Sequence, residues 1–174
     1  MRFSGLNIRI LSTVPTSFDT RYVADLLGTR ILRVHKLVSI ANKEPATKSG
    51  KVAGRGKDRR FGIEEISRLA LAFWLFRAGL RGPFITSILA DKGVNQIIAP
   101  MTSIRRIREE AARGRFLIAW GLNIRHKAKK WEVGHEGVTF VQSLETAPTI
   151  MEEQGCIIVP VGRLLQQLVD KILD

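Results

Sequence analysis

Between Arg30 and Arg60 the chain sets ten Lys or Arg residues against two acids, Glu44 and Asp58. The cations are Arg30, Arg33, Lys36, Lys43, Lys48, Lys51, Arg55, Lys57, Arg59 and Arg60; ten less two leaves +8 of the chain's formal +12. Cations at this density suit one chemistry above others, the neutralisation of a polyanion, because each phosphate contacted releases condensed counterions. A solvated loop kept soluble by its charge is the competing reading. Position favours the polyanion, since the run starts inside one helix-like segment and ends where another begins. A second basic group, Arg125, Lys127, Lys129 and Lys130 beside Trp131, invites comparison with a stacking platform for single-stranded RNA. With one aromatic in the cluster, a charged hairpin loop between strands accounts for it better.

Other chemistries find little support. No motif links a Ser, a His and an acid, and no glycine-rich loop ends in Lys-Ser or Lys-Thr. The histidines His35, His126 and His135 lack metal-ligand spacing, and the single cysteine, Cys156, sits in an apolar run as a small buried residue would. The expectation is therefore a protein that is not an enzyme, with no cofactor and no metal. No apolar stretch approaches bilayer length, Leu69 to Phe76 being the longest without charge, and the N-terminus lacks the apolar core of a secretory signal. These features point to a cytoplasmic, nucleoid-associated protein that does not engage a membrane.

The elements that must position the cations follow from periodicity. Residues 1–17 read as an extended arm with a strand at Leu6 to Leu11. Capping residues at Ser17 to Thr20 precede Tyr22, Val23, Leu26 and Leu27 at helical spacing, and Gly28 ends that helix. A second helix covers Arg30 to Ile40, with Ile31, Val34, Leu37 and Val38 on its apolar face. Asn42 to Asp58 is rich in Gly, Pro, Ser and Lys and reads as a loop or hairpin. A helix with acids in its first turn then carries Ile66, Leu69, Ala70, Phe73 and Trp74 to a stop at Gly79, and a short one opens at Gly82-Pro83. Pro100 to Arg113 reads as a further helix. Beyond it come strands at Arg115 to Leu122, Val138 to Gln142 and Cys156 to Val159, and helices at Leu144 to Gln154 and Val161 to Leu173.

Several of these residues also fit a known pattern. Phe18, Val23, Ala24, Leu27 and Gly28 match a first helix; Val34 and Leu37 match the core positions of a second. The run from Arg59 to Leu69, then Gly79-Leu80 followed by Ile85, Ile88 and Leu89, completes it. Over residues 20–89, about 70 of the 174, the chain resembles the DNA-binding domain of the MerR family, a winged helix-turn-helix. His35 stands where that family carries an arginine, the span from Val38 to Asp58 is longer, and no heptad-bearing helix follows Leu89.

The resemblance implies a winged helix-turn-helix domain at 18–93; with the arm at 1–17 and the helix-strand alternation that suggests a small α/β unit at 94–174 for dimerisation or partner binding, the expected class is α+β. The resemblance also implies a transcriptional regulator that reads double-stranded DNA by sequence. Arg33 is the candidate for base readout in the major groove, where arginine can donate two hydrogen bonds to a guanine edge. Arg30, His35 and Lys36 would touch phosphates, with Thr29 beside them in the turn. Thr20 and Arg21 would bring N–H groups and a cation to a phosphate, unless Thr20 is only a cap. Arg55, Lys57, Arg59 and Arg60 would lie on the wing, unless Arg59 or Arg60 pairs internally with Glu64 or Glu65. A homodimer is expected, formed by the C-terminal unit through the broad apolar side of the last helix. Two other classes stay open: an antitoxin-like autorepressor whose C-terminal half holds a toxin protein, and an RNA-binding factor using both basic clusters.

Overall fold

In the computed structural model, which describes residues 17–41, 59–127, 130–146 and 156–174 (the backbone alone in 123–134), Asp19 opens the first helix. The Tyr22 N–H donates to its Oδ1 at 2.7 Å, satisfying one of the amides that a helix start leaves unbonded. Helix α1 (Thr20–Leu27) buries Val23, Ala24, Leu26 and Leu27. It stops at Gly28, whose φ of 62° is left-handed and costs glycine nothing. The Thr29 N–H then reaches back to the Ala24 carbonyl at 2.8 Å, which turns the chain into α2 (Ile31–Ala41). That helix buries Val34, Leu37, Val38, Ile40 and Ala41 against α1, α3 (Ile63–Arg77) and α4 (Gly82–Ala90).

A two-residue antiparallel ladder holds the start of α1 to the segment before α3. Strand β1 (Phe18–Asp19) pairs with β2 (Arg60–Phe61), Phe18 opposite Phe61 and Asp19 opposite Arg60. Both phenylalanines are buried, so the ladder is fixed from below by the core. Glu65 accepts from the Gly62 N–H at 3.1 Å and closes the start of α3. Thr86 donates to the Ile40 carbonyl at 3.1 Å and so covers the last turn of α2 from α4.

Two further helices follow, α5 (Lys92–Ile98) and α6 (Ile104–Ala112). Helix α5 had no counterpart in the sequence pattern: Asp91 both ends α4 and caps α5, its Oδ1 accepting from the Gly93 N–H at 2.8 Å. Helix α6 starts at Ile104 behind the Ser103 cap rather than at Pro100, because Ser103 offers a side-chain acceptor to the Arg106 N–H and Pro100 offers none.

A three-stranded antiparallel sheet places β3 (Phe116–Trp120) between β6 (Gly137–Val141) and β7 (Cys156–Val159). Between β3 and β6 runs a separate hairpin, β4 (Asn123–Lys127) with β5 (Lys130–Gly134). The basic group expected in a loop thus lies largely on paired strands. The last helix, α7 (Val161–Leu173), packs on α6. They approach closely at Gly162, where an added Cβ would stand 2.6 Å from the Gly114 Cα. The α7 residues Val161, Leu165, Leu168, Val169 and Ile172 are buried within the chain itself.

The fold class is mixed α+β, as expected. One buried cluster runs from Phe18 to Ile172, and α7 reaches α1 and α3 as well as α6. The Lys171 ammonium donates to the Leu26 carbonyl at 3.0 Å, tying the end of the chain to the end of α1. On α2 one expectation needs correction. Ile31, assigned to the buried face, is 44% exposed. The face meets the core only from Val34 onward, and the first turn stands outside it. The expected strand at Leu6 to Leu11, the loop at Asn42 to Asp58 and most of the helix expected at Leu144 to Gln154 lie outside the described residues; Leu144–Thr146 form a 3-10 turn.

Candidate nucleic-acid interface

Successive residues of an α-helix are about 100° apart, so the inward direction of α2 also defines its outward one. Val34, Leu37, Val38 and Ala41 point to the core, which leaves Leu32, His35, Lys36 and Ser39 along the opposite side, all exposed. Arg30 is exposed in the turn just before. Its carbonyl accepts from the Arg33 and Val34 N–H groups at 2.9 and 3.2 Å, fixing the start of the helix.

Arg33 occupies the flank. Its guanidinium lies over the Phe76 ring, 4.9 Å from the centroid, so part of its surface is engaged by α3. Among the described residues, no acid pairs with Arg30, Arg33, His35 or Lys36. No described acid therefore offsets the charge of Arg30, Arg33 and Lys36.

The other expected residues divide. Arg21 is exposed on α1, whereas Thr20 is half-buried and does not cap the helix, a task done by Asp19. Thr29 is half-buried, its N–H used within the turn. Arg60 is exposed on β2. Arg59 takes the internal alternative: it pairs with Glu65 at 3.4 Å and lies over the Phe61 ring at 5.2 Å. Arg55 and Lys57 lie outside the described residues. Near the start of α1, Tyr22 stacks on Phe18 with centroids 4.8 Å apart, and burial pushes its phenol above the ordinary value.

Helix α6 is richer in arginine and differently arranged. Glu109 bridges Arg105 and Arg106 at 3.0 Å each. Glu110, only 8% exposed, pairs with Arg113 at 3.3 Å and with Arg115 at 3.4 Å.

Tertiary structure also assembles a Ser, a His and an acid that no sequence motif connects. Ser87 Oγ lies 2.9 Å from His135 Nδ1, and His135 Nε2 lies 3.5 Å from Asp91 Oδ2. These are the residue types of a nucleophilic triad. Yet Ser87 sits inside α4, where nearby amides are committed to helix bonds instead of an oxyanion, and Asp91 already caps α5. The trio acts as a clip that holds the end of the β4–β5 hairpin on α4.

Leu32, on the outward side of α2, is absent from the residues that the sequence pattern selects for this candidate face. The same periodicity that buries Val34 and Leu37 sends Leu32 outward, and this signal is available in the sequence. No protein-family model matches the chain, and no curated protein matches it.

Proposed function

We propose that this chain binds double-stranded DNA by sequence, as a transcriptional regulator of the MerR-like winged helix-turn-helix kind, with α2 entering the major groove. The observation that carries the reading is the outward face of α2. It holds His35 and Lys36, with Arg30 at its head, and no described acid offsets them. Arg21 on α1 and Arg60 on β2 are exposed cations from neighbouring elements. A helix buried on one side, short of acids on the other and preceded by a tight turn suits groove entry with flanking phosphate contacts.

A pseudo-palindromic operator would require two copies. The apolar side of α7 is covered by the chain's own core, so the contact between copies would use other surface. Selection of bound fragments from a random duplex library, followed by titration at several salt concentrations, tests the reading. A palindromic consensus is expected, with log K falling by about 0.9 per neutralised phosphate for each unit of log salt. Binding indifferent to sequence would overturn it.

An RNA-binding reading has one observation of its own. The β4–β5 hairpin sets Lys127 opposite Lys130 and His126 opposite Trp131 in register, so basic residues and an aromatic share one two-stranded ribbon. Competition between structured RNA and the selected duplex at matched salt decides between them.

A further inference from the structure

Leu32 is 82% exposed, the most exposed of the chain's described large apolar residues. Its place matters more than its exposure. It lies in the first turn of α2, at the centre of the outward side, about 180° from the mean direction of Val34, Leu37, Val38 and Ala41. Basic residues attend it: Arg30 precedes it and Lys36 follows one turn on, with His35 beside Lys36. The only other large apolar residue of this turn left exposed is Ile31, beside it at 44%.

A hydrophobic patch seeking a protein core would be ill served by such a rim, whereas a polyanion would be drawn to it. In the major groove the phosphates lie on both sides of the base edges. The one apolar group that B-DNA presents there is the thymine 5-methyl. A helix that enters the groove by its N-terminal turn brings its central outward residue to the base edges and its flanking residues to the strands. The charge pattern around Leu32 complements that arrangement, cations outside and an apolar tip between them.

We propose that Leu32 reads the 5-methyl group of a thymine, and that apolar contact by Leu32, more than arginine donation by Arg33, sets the preferred base under the first turn of α2. This rests on the DNA-binding reading above and names the specificity residue of that interface. Arg33, held over Phe76, would then serve the adjoining backbone.

The test uses the full chain and the duplex consensus selected from the random library. Each thymine of one half-site is replaced in turn by deoxyuridine, which removes the methyl group and leaves every hydrogen-bonding atom. The wild type should lose roughly three- to fivefold in affinity at one position, the scale of a single buried methyl. Leu32→Ala should bind thymine and deoxyuridine equally there, while still responding to changes elsewhere in the site. Its far-ultraviolet dichroism and melting temperature should match the wild type, because the side chain supports nothing inside the fold.

A wild type insensitive to every thymine methyl would overturn the proposal. So would a methyl effect that persists in Leu32→Ala, or a change in oligomeric state on that substitution, which would show Leu32 covered by a second copy. These results leave sequence-selective binding standing. Failure to select any consensus would instead remove the DNA-binding reading together with this inference.

Discussion

Helices α2 and α6 both carry exposed basic side chains, and they differ in the acids set beside them. On α6 and the turn after it, four of five arginines are partnered: Glu109 joins Arg105 and Arg106, Glu110 joins Arg113 and Arg115, and Arg108 pairs with no described acid. On α2 and its leading turn, Arg30, His35 and Lys36 face no described acid. A count of cations alone treats the two alike. Field does not, because a paired guanidinium is largely neutralised at a distance while an unpaired one contributes to the potential that draws in a charged ligand. The difference teaches that a count of cations locates an interface only after the acids have been assigned.

The comparison can be broken most forcefully at Glu110. Glu110→Gln keeps the shape and removes the charge, leaving the half-buried Arg115 without its carboxylate. We expect a loss of about 1–3 kcal/mol in urea unfolding, the range for hydrogen bonds to charged groups and disrupted buried pairs. Loss of DNA binding without loss of stability would show that α6 belongs to the interface and that its pairs are incidental.

The converse experiment is on α2. Arg30→Gln and Lys36→Gln should each leave stability within about 0.5 kcal/mol, as substitutions on an open surface do. Each should also weaken binding to all duplexes alike and lower the salt slope by about 1, one phosphate contact apiece. Measurement of log K against log salt for the wild type and both variants checks this. An unchanged slope would make these cations mere solvation.

Arg33 stands between the two cases, since it faces outward yet rests on Phe76. Arg33→Ala should cost about 0.5–1 kcal/mol of stability, the value of an exposed cation–π contact. A melting curve read beside Phe76→Leu, and the double variant, isolates the coupling. If Arg33→Ala instead leaves stability untouched and abolishes preference at a guanine, direct base readout by arginine is restored.

The smallest effect belongs to Glu109. The hydrogen bond from Arg105, with Arg106 adding to it and desolvation opposing both, holds its carboxyl below the ordinary carboxylate value. Its folded-state value therefore lies below its unfolded one. The stabilisation is complete above the unfolded value and is lost as pH falls through the folded value. Glu109→Gln should remove that part of the acid dependence and little else, as differential melting between neutral and acid pH would register.

Much of the framework was legible in advance, for local reasons. Gly28 ends α1 because only a left-handed residue turns the chain there, and Val34, Leu37 and Val38 repeat at helical spacing. Strands β3, β6 and β7 and helix α7 likewise announced themselves by pattern. Helix α5 did not, since Asp91 closes one helix and opens the next with no loop between them. Within the candidate interface, the exposure of Arg21, Arg30, His35, Lys36 and Arg60 matches expectation. Arg33 is exposed as well, though it lies over Phe76; Arg59 takes the Glu65 pairing the sequence offered as an alternative, and only the ring contacts with Phe76 and Phe61 had no signal in spacing.

Sequence alone determined the concentration of positive charge, the phases of α1, α2 and α7, and the turn at Gly28, because charge, periodicity and left-handed backbone are properties of neighbours in the chain. Tertiary structure decided that the apolar side of α7 is covered within the chain, that Arg33 rests on Phe76, that Ser87, His135 and Asp91 meet, and that the first turn of α2 stays outside the core. Those outcomes depend on which surfaces approach from far along the chain, and a local pattern carries no record of that approach.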